Sequence, residues 1–216
     1  MHQGYLLFSL ARSLVLLLAS LMMASVARAE PVTIFALGDS LVAGFGLAPG
    51  EGFPDQLEEA LRAKGYDVAV IDGGVSGDTS SGGLARLDWS LHPDTDAVIV
   101  ELGANDALRG IDPGITESSL DGIMANLTAR GLPTLIAGMI APPNMGAAYA
   151  ESFNPIYARL AEQYEAIYYP FFLDGVAAIP ELNLPDGIHP TAEGIGLIVE
   201  RILPYVEDLI TRVSAD

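Results

Sequence analysis

The sequence has no cysteine among its 216 residues, which excludes disulfide bonds, a thiol nucleophile and a cysteine-rich zinc site. Histidine is nearly as scarce, with three in the whole chain. His2 falls in the leader segment described below, so His92 and His189 are the two histidines of the remaining chain. Zinc sites that use two or three histidines would need both, yet these two lie in different sequence contexts. We therefore expect no metal and no cofactor.

Basic residues are also few, since 10 Lys and Arg stand against 28 Asp and Glu. Arg12 and Arg28 belong to the leader, so residues 30–216 carry eight basic and 28 acidic side chains, a formal net charge of −20. Nucleic-acid binding depends on clustered Lys and Arg that displace counterions, and anionic membrane surfaces attract the same residues. This composition argues against both partners and is typical of a well-solvated surface.

The first 29 residues have the pattern of an export signal. A weakly basic start ends at Arg12, the run 13–23 is mostly apolar, and Ala27-Arg28-Ala29 matches a small-residue cleavage site. We expect cleavage before Glu30 and a periplasmic or secreted protein without a stable membrane anchor, although an uncleaved anchor stays open as an alternative. Residues 30–216 suit one domain with a sizeable core.

Short apolar runs alternate with longer helical patterns along the mature chain. Because the runs are continuous, they are typical of strands covered on both faces, and their alternation with helices predicts a parallel sheet between helices. Helices are expected near 53–64, 80–90, 115–130, 149–165 and 191–213, with Pro204 able to kink the last. Trp89, the one tryptophan, is expected in the core. The predicted strands are Val32–Leu37, Val68–Ile71, Ala97–Leu102, Thr134–Met139 and Ile167–Phe172.

Gly38-Asp39-Ser40-Leu41 directly follows the first predicted strand. Ligands of open α/β sheets bind beyond the carboxyl ends of the strands, so a serine hydroxyl at this point can act as a nucleophile. Gly, Asp and Ser are also ordinary turn and cap residues. On the tetrapeptide alone, a helix cap is an equally open interpretation.

A nucleophilic serine needs a base, and two histidines are available. His92 precedes the third predicted strand and so lies at the amino edge of the sheet, where a surface turn explains it. His189 follows the fifth strand, which places its loop at the carboxyl edge together with Ser40. Asp186, three residues earlier, can accept a hydrogen bond from the imidazole and fix its tautomer. The alternative is a turn at Asp186 that leads into a helix opened by Pro190.

Two further loops on the same edge offer hydrogen-bond donors for an oxyanion. Residues 73–79 are glycine-rich, and glycine lets the backbone approach a ligand closely. Asn105, in the loop after the third strand, carries a side-chain amide that can donate. Each loop alone is also compatible with an ordinary turn.

Taken together, four blocks make the chain resemble the GDSL or SGNH hydrolases. They are Gly38-Asp39-Ser40-Leu41, Ser76-Gly77-Asp78-Thr79, Gly103-Ala104-Asn105-Asp106 and Asp186-Gly187-Ile188-His189. The resemblance implies a flavodoxin-like three-layer α/β/α sandwich with strand order 2-1-3-4-5. It also implies a catalytic triad of Ser40, His189 and Asp186, and an oxyanion hole formed by Ser40 N–H, Gly77 N–H and the Asn105 side chain.

Within the family the chain is most similar to the periplasmic thioesterase, lysophospholipase and arylesterase group, from which it departs at Ala104, where glycine is common. The implied activity is hydrolysis of a small-molecule carboxylic ester or thioester. A carbohydrate acetyl-ester deacetylase and a non-catalytic binding protein of the same fold stay open. The loops 107–112 and 141–150 are candidate walls of an acyl groove, although each apolar residue could instead close the core. The candidate groove residues are Leu108, Ile111, Met139, Ile140 and Met145.

Overall fold

A computed structural model describes residues 31–213 of the chain. The predicted signal segment 1–29 lies outside the described residues. No helix within residues 31–213 is both long enough and apolar enough to cross a membrane.

Five parallel strands form one sheet in the order β2-β1-β3-β4-β5, which confirms the predicted topology. The apolar runs explain why, since every residue of β3 and β4 is buried between the helical layers. The strands are β1 Val32–Gly38, β2 Val68–Gly74, β3 Ala97–Glu101, β4 Thr134–Ala137 and β5 Ile167–Tyr169.

The register of the central strands aligns their carboxyl ends. Gly38, the last residue of β1, pairs with Gly74 at the end of β2 and with Glu101 at the end of β3. The segments that follow these three strands therefore leave the sheet side by side. This alignment places the loops with the candidate catalytic and oxyanion residues at one edge.

Helices cover both faces of the sheet. On one side the first and last helices pack together, and on the other the second packs against the fourth. The helices are α1 Phe53–Ala63, α2 Ser80–Ser90, α3 Ala104–Leu108, α4 Pro113–Ala129, α5 Ala147–Phe153, α6 Ile156–Gln163 and α7 Ala192–Val213. Short 3-10 turns lie at Pro143–Met145 and Pro180–Leu182.

Three local predictions differ from the structure. The single helix predicted over 149–165 is two helices, α5 and α6, because Pro155 cannot continue the hydrogen-bond ladder of α5. Trp89 is 76% exposed rather than in the core. The buried face of helix α2 instead consists of Ser80, Gly83, Arg86 and Leu87, and a Cβ added to Gly83 would lie 2.3 Å from Leu102 Cδ1. The third difference is the short helix α3, which lacks an apolar period long enough to detect.

Candidate active site

Ser40 lies two residues beyond β1, in a series of tight turns. Backbone bonds from Ala43 N–H to the Asp39 carbonyl and from Phe45 N–H to the Ser40 carbonyl close these turns at 3.0 and 3.1 Å. They do not extend into a helix, since α1 begins only at Phe53. The Ser40 hydroxyl is therefore not held as a helix cap, and it points to His189.

Ser40, His189 and Asp186 form one hydrogen-bonded chain. Ser40 Oγ lies 2.9 Å from His189 Nε2, and His189 Nδ1 lies 2.7 Å from Asp186 Oδ2. With the imidazole proton on Nδ1, Nε2 can accept the proton of the serine hydroxyl. The structure thus brings together the three residues that the sequence singled out for these positions.

The loop that carries His189 is fixed by its own backbone. Leu184 N–H donates to the His189 carbonyl at 2.7 Å, and Gly187 N–H donates to the Leu184 carbonyl at 2.8 Å. Gly187 has a φ of +69°, a left-handed conformation that glycine adopts without strain. The turn brings the Asp186 carboxylate and the His189 ring to the same side of the loop.

Asp186 is held in its charged form by hydrogen bonds. Its Oδ1 accepts the N–H groups of Ile188 and His189 at 2.9 and 3.0 Å, while Oδ2 faces the imidazole. The Ile188 N–H, followed by the imidazole and the His189 N–H, lowers the pKa of Asp186 to about 2. The carboxylate is therefore ionised at neutral pH and can stabilise an imidazolium.

Phe45 packs against the imidazole of His189, with ring centroids 4.4 Å apart and the planes tilted by 35°. Its side chain is half exposed, so the pair of rings forms part of the site's outer rim. This contact packs one ring against the other and restricts movement of the imidazole. Sequence reasoning missed Phe45, and no local motif marks it.

Asn105 reaches the nucleophile turn from the start of α3. Its Nδ2 donates to Asp39 Oδ2 at 2.9 Å, and Leu41 N–H donates to Asp39 Oδ1 at 2.9 Å. Asp39 is fully buried, and burial is the main reason that its pKa is raised to about 6. The carboxylate of Asp39 therefore links the turn that carries Ser40 to the amide of Asn105.

A second buried carboxyl group, Glu101, lies directly beneath this link. Its Oε2 accepts the backbone N–H of Asp39 at 3.2 Å. Its Oε1 has no hydrogen-bond partner within residues 31–213. Burial, together with the nearby Asp39, raises the pKa of Glu101 well above its usual value, so its protonated form is favoured more strongly than that of an exposed glutamate. A charged residue at the end of an otherwise apolar strand was the sequence signal for it.

Gly77 occupies a turn after β2. Asp78 N–H donates to the Val75 carbonyl at 3.0 Å, and Gly77 has a φ of +86°, as the third position of a type II turn requires. Within residues 31–213, the backbone N–H groups of Gly77 and Ser40 have no hydrogen-bond acceptor. Both are available to a bound group.

Arg86 ties the same loop to the nucleophile turn from below. Its Nη2 donates to the Gly38 carbonyl at 2.9 Å, and its Nε donates to Asp78 Oδ2 at 2.5 Å. The guanidinium is almost completely buried, and both of these contacts are to charged or backbone acceptors. The loops after β1 and β2 are thus held together by one buried, paired cation.

A cavity of about 640 Å³ opens beside Ser40 and His189. Of the five candidate groove residues, Leu108, Met139 and Ile140 line it. Ile111 and Met145 do not; the Ile111 carbonyl accepts the Tyr149 hydroxyl at 2.8 Å instead. Pro142 and Pro143, from the predicted wall loop 141–150, also line the cavity. Sequence reasoning missed the apolar lining residues from the segment after β5 and from the histidine loop: Phe171, Leu173, Ala177 and Ile188.

His92 is exposed, and its Nδ1 lies 3.9 Å from the Asp94 carboxylate. It lies in a surface segment before β3, as predicted. In the part of the chain that the structure describes, no group of three or more His, Asp or Glu side chains is arranged to hold a metal ion.

Comparison with known protein families matches residues 36–196 to the GDSL-like Lipase/Acylhydrolase family. The chain belongs to this family. The match begins within β1 and ends within α7, so it spans Ser40, Gly77, Asn105, Asp186 and His189. The family resemblance stated from the sequence is confirmed.

Relatives of this GDSL-like chain include proteins named as an arylesterase, a thioesterase and an esterase. An arylesterase of Vibrio mimicus is 40% identical over 77% of this chain and 84% of its own length. Thioesterase 1/protease 1/lysophospholipase L1 of Escherichia coli is 34% identical over 84% of this chain and 86% of its own length. The crystal structure of AlinE4, an SGNH-hydrolase family esterase, is 46% identical in sequence and has a TM-score of 0.71; the match covers 83% of this chain and 96% of AlinE4.

Proposed function

We propose that this GDSL-like hydrolase cleaves carboxylic esters through an acyl-enzyme formed on Ser40. The observation that carries the proposal is the continuous hydrogen-bonded chain from Ser40 through His189 to Asp186, located at the mouth of an apolar cavity. The relatives named as esterases and an arylesterase support the same reaction class. The chain is a carboxylic ester hydrolase.

In the first half-reaction, Ser40 Oγ forms a bond to the carbonyl carbon while His189 Nε2 takes the hydroxyl proton. The ester carbon–oxygen bond then breaks, and the departing alcohol takes that proton from His189. Water next attacks the acyl carbon and gives a proton to His189. Release of the acid returns this proton to Ser40. Throughout the cycle the Asp186 carboxylate stabilises the imidazolium and keeps the imidazole oriented.

Three donors are proposed to stabilise the tetrahedral oxyanion: the N–H groups of Ser40 and Gly77 and the side-chain amide of Asn105. Two of them have no intramolecular acceptor within residues 31–213, which leaves them free for a substrate oxygen. The Asn105 amide is already oriented by its bond to Asp39. Donors fixed before the substrate arrives need no reorganisation in the transition state.

The acyl chain of the substrate is proposed to occupy the apolar cavity, with contacts to Leu108, Met139, Ile140, Phe171 and Ile188. An aliphatic chain suits such a lining better than a sugar does, which favours aryl esters and lysophospholipids over acetylated carbohydrates. The thioesterase name of the Escherichia coli relative supports acyl thioesters as further substrates. We also propose a periplasmic or extracellular location after signal cleavage near Ala29, which the apolar run 13–23 and the pattern Ala27-Arg28-Ala29 support.

The test is Ser40→Ala measured on one substrate panel: nitrophenyl esters of two to twelve carbons, acyl-CoAs, lysophospholipids and acetylated xylo-oligosaccharides. Loss of the nucleophile should lower kcat by about 10⁴-fold or more on every cleaved substrate. Ser152→Ala on the exposed face of α5 is the matched control, because its hydroxyl bonds only to its own helix. Retention of more than a trace of wild-type activity by Ser40→Ala would overturn the proposal.

A further inference from the structure

Arg109 links the two loops that carry the proposed oxyanion donors Gly77 and Asn105. It follows α3, and its Nη2 donates both to the Gly77 carbonyl at 2.7 Å and to Asn105 Oδ1 at 3.3 Å. Gly77 lies after β2 and Asn105 after β3, and these strands are not neighbours, since β1 with Ser40 lies between them. One guanidinium nitrogen therefore joins the loops that follow the two strands on either side of β1.

In the described part of the chain, the charge of Arg109 is not paired with a carboxylate. By contrast, a carboxylate partner is present for each of Arg62, Arg86, Arg130 and Arg159. Residues 30–216 carry 28 acidic side chains, so carboxylates are abundant on this surface. The hydrogen bonds of Arg109 go instead to the two loops at the active site.

These contacts also define which way the Asn105 amide faces. With Oδ1 accepting from Arg109, Nδ2 must lie on the other side, where it donates to Asp39. A rotated amide would present its oxygen to the oxyanion, which would repel it; the bond to Asp39 disfavours this rotation, and the bond from Arg109 adds a second constraint. Two partners of opposite kind thus fix the orientation of the amide.

We propose that Arg109 is a positioning residue that sets the separation of the Gly77 and Asn105 donors and the orientation of the Asn105 amide. This inference rests on the proposed oxyanion roles of those two residues. Donor placement matters because a catalytic group displaced by about 0.5 Å already loses much of its effect. Arg109 acts through its two neighbours and does not touch the reacting atoms.

The test is Arg109→Ala with kcat and KM measured separately on 4-nitrophenyl butyrate and on butyryl-CoA. Loosening of the donors should lower kcat by about 10- to 30-fold, a fraction of the 10²- to 10³-fold that loss of a whole donor costs. KM should change less than about twofold, and the two substrates should be affected equally. Arg159→Ala, which breaks an exposed ion pair to Glu117, is the control and should leave kcat unchanged.

Two further variants separate positioning from general destabilisation. Arg109→Lys keeps a donor of similar reach and should restore part of kcat, and millimolar guanidinium ion should partly rescue Arg109→Ala. In an Asn105→Ala background, Arg109→Ala should cost distinctly less than it does alone, because one of the two donors that it positions is already gone.

The outcomes are distinguishable. A loss confined to KM on butyryl-CoA would assign Arg109 to binding an anionic leaving group and overturn the positioning role. If the double variant loses kcat by the product of the two single-variant factors, the positioning role is overturned as well. If Asn105→Ala itself leaves kcat intact, the proposed oxyanion hole fails. If Asn105→Ala lowers kcat and Arg109→Ala does not, this inference alone fails.

Discussion

Two aspartates hold groups of the candidate active site, Asp186 the imidazole of His189 and Asp39 the amide of Asn105, and their surroundings differ. Asp186 is on a surface loop with 38% of its side chain exposed, and its pKa is lowered to about 2 by hydrogen bonds from Ile188 and His189. Asp39 is fully buried beneath Ser40, and its pKa is raised to about 6, mainly by burial. Both accept a backbone N–H and a side-chain N–H.

Hydrogen bonds to the charged form lower the pKa of a carboxyl group, whereas burial raises it. Which of the two effects is larger decides the role that each aspartate suits. Asp186 stays charged over the whole working range and can stabilise an imidazolium. Asp39 is better suited to hold a neighbouring amide in place. Its interior setting is shared with Glu101, a second carboxyl group whose pKa is raised by burial.

The largest effect should come from Asp186→Asn. An amide has one nitrogen donor where the carboxylate has a second acceptor oxygen. That nitrogen must face either the backbone N–H groups or the N–H of the imidazole, so the imidazole tautomer with its proton on Nδ1 is destabilised. We expect kcat for a nitrophenyl ester to fall on the order of 10³- to 10⁴-fold. Asp94→Asn, beside the surface His92, offers a matched aspartate–histidine pair and should have no effect. A loss of less than tenfold for Asp186→Asn would contradict the role of the charged carboxylate.

A smaller loss is expected for Asp39→Asn. The new amide nitrogen would face Asn105 Nδ2, donor against donor, or else turn toward Leu41 N–H. Either arrangement disturbs the Asn105 amide, so kcat should fall by about 10- to 100-fold, at most the worth of one oxyanion donor. Steady-state kinetics of Asp39→Asn combined with Asn105→Ala provides the check. If the two losses simply multiply, Asp39 acts on something other than Asn105.

The smallest effect, on stability rather than rate, is expected for Glu101→Gln. The pKa of Glu101 is raised in the folded protein, so its protonated form is favoured by folding. The unfolding free energy of the wild type should therefore fall as pH rises above the usual carboxyl pKa and toward the raised one. The slope for one such group is at most about 1.4 kcal/mol per pH unit.

Removing the ionisable group should remove its share of that slope. Urea unfolding of Glu101→Gln between pH 4.5 and 8 should show a flatter dependence than the wild type shows. Glu59→Gln, at an exposed position of α1, should reproduce the wild-type slope. Identical slopes for Glu101→Gln and the wild type would mean that Glu101 is ionised in the folded state.

The alternation of strands and helices, and with it a parallel sheet, followed from the sequence because its evidence was local and repeated, whereas the strand order came from the family resemblance. Each strand is a continuous apolar run, and each pair of neighbouring runs is separated by a helical pattern. The division between α5 and α6 was missed, although a single residue, Pro155, marks it. The exposure of Trp89 has no such local mark, since it depends on how α2 packs Gly83 against Leu102, a contact between segments distant in sequence.

The active-site residues also divide into those that the sequence predicted and those that only the structure revealed. Ser40, Gly77, Asn105, Asp186 and His189 were predicted as neighbours because parallel strands bring their carboxyl ends to one edge. The supporting residues came only with the structure. The contacts of Arg86 with Gly38 and of Phe45 with His189 join residues far apart in the chain, and no periodicity or short motif encodes them.

The position of Trp89 has a practical consequence for measuring the folding of this protein by fluorescence. As the only tryptophan in the chain, it dominates the intrinsic emission, yet its indole is already in contact with water in the native state. Its emission maximum should move little when the core opens. Ultraviolet circular dichroism of the helices reports that transition, while quenching of the indole emission reports what approaches the outer face of α2.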